Sequence, residues 1–268
     1  MRTWAALLVV ALVVLAGCGS SSAVDSGDGV ADITPASVPT DHPMDDRPPG
    51  VGRSGLSDPI ALADAHAESL VKRNFTVRTR SVIRDSNGTA LREVTRVARY
   101  DPPVTTETWS YGETTSSLGP SSGKTVERWA NGSTGVVRLV GEQSVRYSAS
   151  STVGAPTLRD ELYGTLPALR DGQTTLDGSA YRVETTEPPM LYGPYTGVLS
   201  AVESWNQTLV VEPDGRIRWL HIEFAGEAST PSGTVPVTGS YDVQFSGIGS
   251  TSVERPDWVS VALEATDQ

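Results

Sequence analysis

The chain has 268 residues, a formal net charge of −11 and a single cysteine, Cys18. One cysteine excludes an intrachain disulfide, so the folded part of this chain must rely on its apolar core. The acidic charge and the absence of a basic run argue against binding to nucleic acid and against docking on anionic lipid headgroups.

The basic residues are unevenly divided between the two types. Only Lys72 and Lys124 are lysines among the 21 basic residues, and the others are arginines. An acidic, lysine-poor surface suits high external salt, which screens self-repulsion while carboxylates keep the surface hydrated. A GC-rich genome would produce the same arginine bias through codon usage alone. Both explanations point to a haloarchaeal source.

Residues 1–17 have the organisation of an export signal that ends at a lipidation site. Arg2 precedes an apolar stretch at residues 4–16, and small residues lead to Cys18. The stretch is shorter than the roughly 20 residues that a membrane-spanning helix needs. The pattern resembles a lipobox, which implies that Cys18 is lipidated and anchors the protein at the extracytoplasmic face of the cell membrane. A simple signal peptide cut near Ala16 is the alternative.

Residues 18–57 are predicted to form a disordered tether. The segment consists mostly of Ser, Gly, Asp and Pro, and its apolar residues follow neither a helix period nor a strand period. Such a composition buries too little apolar surface to order the chain. The folded domain is therefore expected at residues 58–261, followed by a short C-terminal tail at residues 262–268.

The folded domain is predicted to begin with a helix capped by Asp58, with Pro59 in its first turn. Beyond this helix the hydrophobic period changes to two, which indicates an antiparallel strand at residues 75–83. The pair Asn87-Gly88 predicts a hairpin turn, and short strands joined by tight turns follow. These further predicted strands cover residues 91–100, 105–111, 125–130, 135–140, 144–148, 181–184, 205–211, 216–224 and 237–245.

A second helix is predicted between residues 156 and 170. Leucines share one face there, and Pro167 indicates a bend or an early stop. Many short strands with one helix before them and one among them predict an α+β fold that is mainly β. Its antiparallel sheet carries the helices on one face.

Four segments resemble a family of haloarchaeal lipoproteins. They are the helix at residues 61–67 with the following residues 74–77, the glycine–tyrosine strand at residues 178–183, and Pro256-Asp257-Trp258 near the C-terminus. The architecture of that family is similar to LolA-like lipoprotein-sorting domains and to the mycobacterial lipoproteins LppX and LprG. The resemblance covers about residues 58–261. It implies a strongly curved, half-open β-barrel with two helices on its concave side, where a lipid or isoprenoid chain is held.

Two features of the sequence bear on whether the protein is an enzyme. Residues 119–123 match the G-x-S-x-G nucleophile elbow, and His221 follows in the appropriate chain order. The elbow needs a strand before its serine and a helix after it, whereas Ser121 lies in a Ser/Thr/Gly-rich loop. His42 falls in the predicted tether and His66 on the polar side of the first helix, so the histidines do not cluster as metal ligands would. We therefore expect no catalysis, no metal and no other cofactor.

All four asparagines of the chain lie in N-x-S/T sequons, which makes them candidate N-glycosylation sites. With Ser and Thr at roughly a fifth of the chain, this agreement arises by chance on the order of once in several hundred. Hairpin turns also require two of these asparagines, so turn chemistry explains part of the pattern. We predict that one or more sites are occupied. The candidates are Asn74, Asn87, Asn131 and Asn206.

Together these observations favour a lipid-anchored, extracytoplasmic protein that encloses a hydrophobic ligand on the concave side of its sheet. Its partners would be the membrane, through the lipid on Cys18, and that ligand. The alternative is a cell-surface interaction or sensor domain whose convex face contacts envelope proteins or glycans.

Overall fold

The structure is a computed structural model that describes residues 47–102, 107–116, 123–132, 134–150, 155–189, 198–230 and 232–266. Within these ranges the helices are α1 (Pro59–Leu70), α2 (Arg159–Thr165), a 3₁₀ helix directly after it (Leu166–Asp171) and α3 (Trp258–Thr266). The strands are β1 (Phe75–Asp85), β2 (Ala90–Asp101), β3 (Glu107–Ser116), β4 (Lys124–Asn131), β5 (Thr134–Val140), β6 (Val145–Ser150), β7 (Gln173–Asp177), β8 (Ala180–Thr185), β9 (Leu199–Val211), β10 (Ile217–Thr230) and β11 (Gly233–Ser246).

The eleven strands form one antiparallel sheet. Their order is β6-β5-β4-β3-β2-β1-β11-β10-β9-β8-β7, so all neighbours are consecutive in sequence except β1 and β11. The first and last strands therefore pair near the middle of the sheet, with Thr79 opposite Val243. The predicted α+β fold, mainly β with a curved antiparallel sheet and two helices on one face, is confirmed.

In the strands around β1 and β11, alternation separates a mainly apolar face from a mainly polar one. Val77, Val243 and Leu220 are buried on the face against which α1, α2 and the 3₁₀ helix pack. Arg78 and Arg80 are exposed on the opposite face. We call the helix-covered face the inner face, which corresponds to the concave side of the predicted half-barrel, and the opposite face the outer face.

The cap predicted for α1 is present. Oδ1 of Asp58 accepts hydrogen bonds from the backbone N–H groups of Ile60 and Ala61, each at 3.0 Å. Pro59 occupies the first turn, where a helix has no use for an N–H group. The side chain of Leu62 is fully buried against the inner face. The cap and the buried side of the helix together fix α1 over the sheet.

The ordered domain begins before the predicted boundary at residue 58. Val51 and Leu56 form an antiparallel bridge, and both are buried. The N–H of Leu56 also donates to the carbonyl of Leu169 in the 3₁₀ helix at 2.9 Å. Residues 47–57, which the sequence assigns to the tether, thus pack with the domain. The sequence does not reveal this packing, because Val51 and Leu56 are isolated apolar residues without a helix or strand period and the partner Leu169 lies far along the chain.

A second, smaller core lies on the outer face, where the sequence predicts no helix. Trp258 and Val259 of α3 are buried against Trp129 of β4 and Val136 of β5. The helix has only 9 residues, too few for its apolar period to stand out. The predicted C-terminal tail, from residue 262 onwards, begins inside this helix.

His66 lies in the main core, although the sequence places it on the polar side of α1. It is fully buried, and its ring meets that of Phe245 edge-on with centroids 4.4 Å apart. Its Nδ1 accepts a hydrogen bond from the N–H of Ile217 at 3.0 Å. Burial lowers the pKa of His66 from 6.5 to about 4, so the imidazole is neutral at pH 7.

We predict that acidification destabilises the protein through His66. The unfolded chain takes up this proton near pH 6.5 and the folded chain only near pH 4. Stability is therefore complete above the unfolded pKa and falls by about 3 kcal/mol as the pH drops towards 4. His66→Asn keeps an acceptor near the Nδ1 position and cannot titrate.

Urea unfolding between about pH 7 and pH 4 measures the effect. The His66→Asn variant should lose less stability across this interval than the wild type, whatever its stability at neutral pH. Equal losses in the two proteins would contradict the assignment to His66.

Candidate functional site

A cavity of about 370 Å³ lies on the inner face, between strands β1–β4 and the segment before α2. Its apolar lining comes from Val77, Ala98, Val126 and Ala130 on the strands and from Leu158 next to α2. The volume lies within the range of roughly 300–1,000 Å³ that is typical of small-molecule sites. The cavity is the best candidate for a binding site in the part of the chain that the structure describes.

Small residues occupy inner-face positions on three of the strands that line the cavity. They are Ala98 of β2, Gly112 of β3 and Ala130 of β4, with Gly112 diagonal to Ala98 and Ala130 opposite Thr108. A Cβ on Gly112 would lie 3.5 Å from Cγ of Arg96, in ordinary van der Waals contact. Gly112 does not have a positive φ, so the backbone does not require glycine there. Its effect is to leave space, and a glycine inside a strand is the one local signal for this cavity in the sequence.

Leu158 brings a strained backbone to the rim of the cavity. It is the one non-glycine residue with a positive φ among the described residues, at φ 57° and ψ 22°. The left-handed conformation costs a side-chain-bearing residue roughly 1–2 kcal/mol. Packing of the Leu158 side chain against the main core offsets this cost. Leu158, the residue before α2, thereby lines the cavity.

Polar residues complete the lining, among them Thr79, Thr108, Thr114, Arg96 and Arg128. Thr108 is only 5% exposed, and its Oγ1 has no hydrogen-bond partner among the described residues. An unpaired buried hydroxyl costs about 1–3 kcal/mol, which a ligand or a water could recover. Arg96 pairs with Glu161 of α2 at 3.7 Å, and both side chains are at least half exposed. Such a pair contributes at most about 1 kcal/mol.

His221 lies away from this cavity, on the outer face of β10. Its Nδ1 is 2.6 Å from Oδ1 of Asp242, and its Nε2 is 3.4 Å from Oε1 of Glu223. The ring stacks on Trp219 with centroids 5.2 Å apart. His221 is thus a half-buried residue of the sheet, and its two acidic neighbours hold its ring in place.

Several predicted site residues fall in segments that the structure does not describe. Cys18, His42 and Ser121 lie outside the described residues, so the lipobox and the elbow motif stay sequence-based predictions. Among the described residues, no group of three or more His, Cys, Asp or Glu could hold a metal ion. In the same part of the chain, no helix combines the length and the apolar character that a membrane span needs.

The four sequons differ in their surroundings. Nδ2 of Asn74 donates to the carbonyl of Thr251 at 2.6 Å, and the side chain is half-buried. Asn131 accepts a backbone N–H within its own turn through Oδ1. Asn87 and Asn206 are exposed, one in the β1–β2 turn and one on the outer face of β9. The last two are therefore the most accessible of the candidates.

Solved structures with similarity to this chain share low identity with it. A DUF1329 family protein from Desulfovibrio piger is 14% identical, with 75% of this chain and 94% of that chain covered and a TM-score of 0.27. A putative outer membrane lipoprotein-sorting protein domain from Vibrio parahaemolyticus is 7% identical, with 76% and 97% covered and a TM-score of 0.25. Rv2717c from M. tuberculosis is 6% identical, with 67% and 96% covered and a TM-score of 0.20. With such TM-scores, no ligand or activity carries over to this chain.

No curated protein matches the sequence. A family model, in contrast, matches residues 3–262, from within the predicted export signal to the middle of α3. The chain belongs to DUF7537, a family of unknown function.

Proposed function

We propose that this protein binds a hydrophobic ligand, such as a lipid acyl chain or an isoprenoid chain, in the inner-face cavity and performs no catalysis. The observation that carries the proposal is the cavity of about 370 Å³ with small and apolar residues on its strands. Burying hydrocarbon away from water lowers the free energy by about 25 cal/mol per Å² of apolar surface. A chain that fills the cavity is therefore held without a set of directed hydrogen bonds.

The cavity is maintained at the expense of packing. A sheet that served only as a scaffold would gain stability from larger apolar side chains at Ala98, Gly112 and Ala130. The backbone permits this at Gly112, whose φ is not positive. The strands instead keep small residues around this space, which supports a binding role for this face of the sheet.

We also propose that the protein works outside the cytoplasm, anchored to the cell membrane by a lipid on Cys18. The support is the sequence pattern of a basic residue, a short apolar stretch and small residues before the cysteine. The tether predicted after Cys18 would then join this lipid to the domain that carries the cavity.

We predict that the protein made in its own host carries a hydrophobic ligand, and that Ala98→Phe abolishes its binding. A phenyl ring at position 98 extends from β2 into the cavity and takes the place of the ligand. Native mass spectrometry of the released domain detects the ligand as an added mass. A domain without added mass in the wild type would contradict the proposal. A stoichiometric protein partner would favour the alternative of an interaction domain.

The matched control is Ala149→Phe, which places the same ring on an exposed position of β6 outside the cavity lining. This variant should keep the ligand. Thermal unfolding of both variants shows whether they fold, since overpacking costs about 1–3 kcal/mol. Loss of ligand from a folded Ala98→Phe but not from Ala149→Phe assigns binding to the cavity.

We predict that Cys18→Ser moves the protein from the membrane fraction to the medium. Each buried methylene of an anchoring lipid contributes about 0.8 kcal/mol, and serine cannot form the thioether that attaches it. Immunoblotting of membrane and medium measures the distribution, with Ser20→Ala as the control that should stay in the membrane. A Cys18→Ser protein that remains fully membrane-bound would refute the anchor.

We predict N-glycans on Asn87 and Asn206 and none on Asn74, because the first two side chains are exposed and the third is engaged. Intact-mass measurement of the protein from its own host should show one glycan lost in Asn87→Gln. Thr89→Ala should show the same loss, because it breaks the sequon and keeps the asparagine. An unchanged mass in both variants would remove Asn87 from the candidates.

A further inference from the structure

We infer that the ligand of the inner-face cavity is an amphiphile with an anionic headgroup, a phosphate or a carboxylate, bound by arginine and lysine side chains of β2–β6. The inference rests on the proposed function, since the hydrocarbon part of the ligand occupies the cavity described above. It goes further in naming the charge of the headgroup and the direction in which the ligand lies.

The two faces of strands β2–β6 carry opposite charge. The strand register places five basic residues and no acidic residue at the described inner-face positions of these strands. We call these five residues the basic cluster: Arg92, Arg96, Lys124, Arg128 and Arg146. On the outer face of the same strands the register places acidic residues, among them Glu93, Asp101, Glu113 and Glu127.

The two faces also differ in whether their charged side chains form ion pairs. On the outer face Glu93 pairs with Arg80 at 2.8 Å, and Glu127 pairs with Arg138 at 3.0 Å. In the basic cluster, the described residues offer a carboxylate partner only to Arg96, through the long and exposed contact with Glu161. Among the described residues, four cations on β2, β4 and β6 thus have no carboxylate partner, in a protein of net charge −11. An anionic ligand would supply the counter-charge on this face.

The basic cluster adjoins the cavity, because two of its members, Arg96 and Arg128, also line the cavity. On the inner face of β2 the order is Arg92, Val94, Arg96, Ala98, and on that of β4 it is Lys124, Val126, Arg128, Ala130. β2 and β4 point the same way, since each is antiparallel to β3 between them. Both strands therefore begin with a basic residue and reach an alanine, past their last basic residue, in one direction across the sheet.

This gradient fits one orientation of an amphiphile. The hydrocarbon chain lies over Ala98 and Ala130, and the headgroup lies towards Arg92 and Lys124, near the solvent. Arg96 stands between them, opposite the gap left by Gly112. Guanidinium groups bind phosphate and carboxylate oxygens in pairs of parallel hydrogen bonds, and for this reason arginine suits such a headgroup.

The test compares two probes that differ only in the phosphate, palmitoyl lysophosphatidate and monopalmitin, below their micelle-forming concentrations. Displacement of the neutral fluorophore phenylnaphthylamine measures both affinities on the full domain. The wild type should bind lysophosphatidate roughly tenfold or more tightly, since each exposed ion pair contributes up to a few-fold. The preference should shrink as salt is raised, because the headgroup contacts are exposed.

The double variant Arg92→Gln/Lys124→Gln removes two members of the basic cluster that do not line the cavity, so it should lose most of this preference and keep its affinity for monopalmitin. The matched control Arg78→Gln/Arg99→Gln makes the same change of charge on the outer face and should keep the preference. A preference that persists in Arg92→Gln/Lys124→Gln, or one that is equally lost in the control, overturns the inference.

Two further outcomes separate this inference from the proposed function. Equal affinity of the wild type for both palmitoyl probes overturns the anionic headgroup and leaves the hydrophobic site in place. Failure of both probes to displace the fluorophore overturns both proposals. Glycerol phosphate, the headgroup without its tail, should bind much more weakly than lysophosphatidate, and equal binding would show a site for free phosphate instead of a lipid.

Discussion

The alternation of side chains across a single antiparallel sheet is the constraint on which the rest of this structure depends. A slip of one residue in the register would send every inner-face side chain to the outer face. The register is held by close contacts such as that of Gly239, where an added Cβ would lie 2.3 Å from Cζ of the facing Phe224. The main core, the smaller core under α3, the cavity and the basic cluster all follow from this one register.

Local patterns predict the elements of the fold whose signal is contained in a few residues. The cap of α1 follows from Asp58 and Pro59, and β1 follows from its period of two. β7 has no such signal, because its one apolar residue, Leu176, is 65% exposed. The packing of Leu56 cannot be predicted locally either, since its partner Leu169 lies far along the chain.

The candidate site depends on register between strands, which a single sequence does not contain. Ala98, Gly112 and Ala130 line one cavity only when β2, β3 and β4 pair as they do. The basic cluster is hidden in the same way. Arg92 is followed by Glu93, and Arg128 is preceded by Glu127, so the charges cancel along the chain. The absence of a basic run in the sequence therefore does not exclude a basic cluster on the inner face, because alternation sorts adjacent opposite charges onto opposite faces.

The placement of the helices explains how one end of the sheet can remain open. α1, α2 and the 3₁₀ helix cover the inner face of the strands around β1 and β8–β11, and the described part of the main core includes no residue of β4–β6. α3 supports β4 and β5 from the outer face instead, with Trp258 packed on Trp129. Because this support comes from behind, the inner face of β4–β6 does not need a helix of its own. The cations Lys124, Arg128 and Arg146 stay exposed there, and the arrangement that stabilises these strands is compatible with the cavity on their inner face.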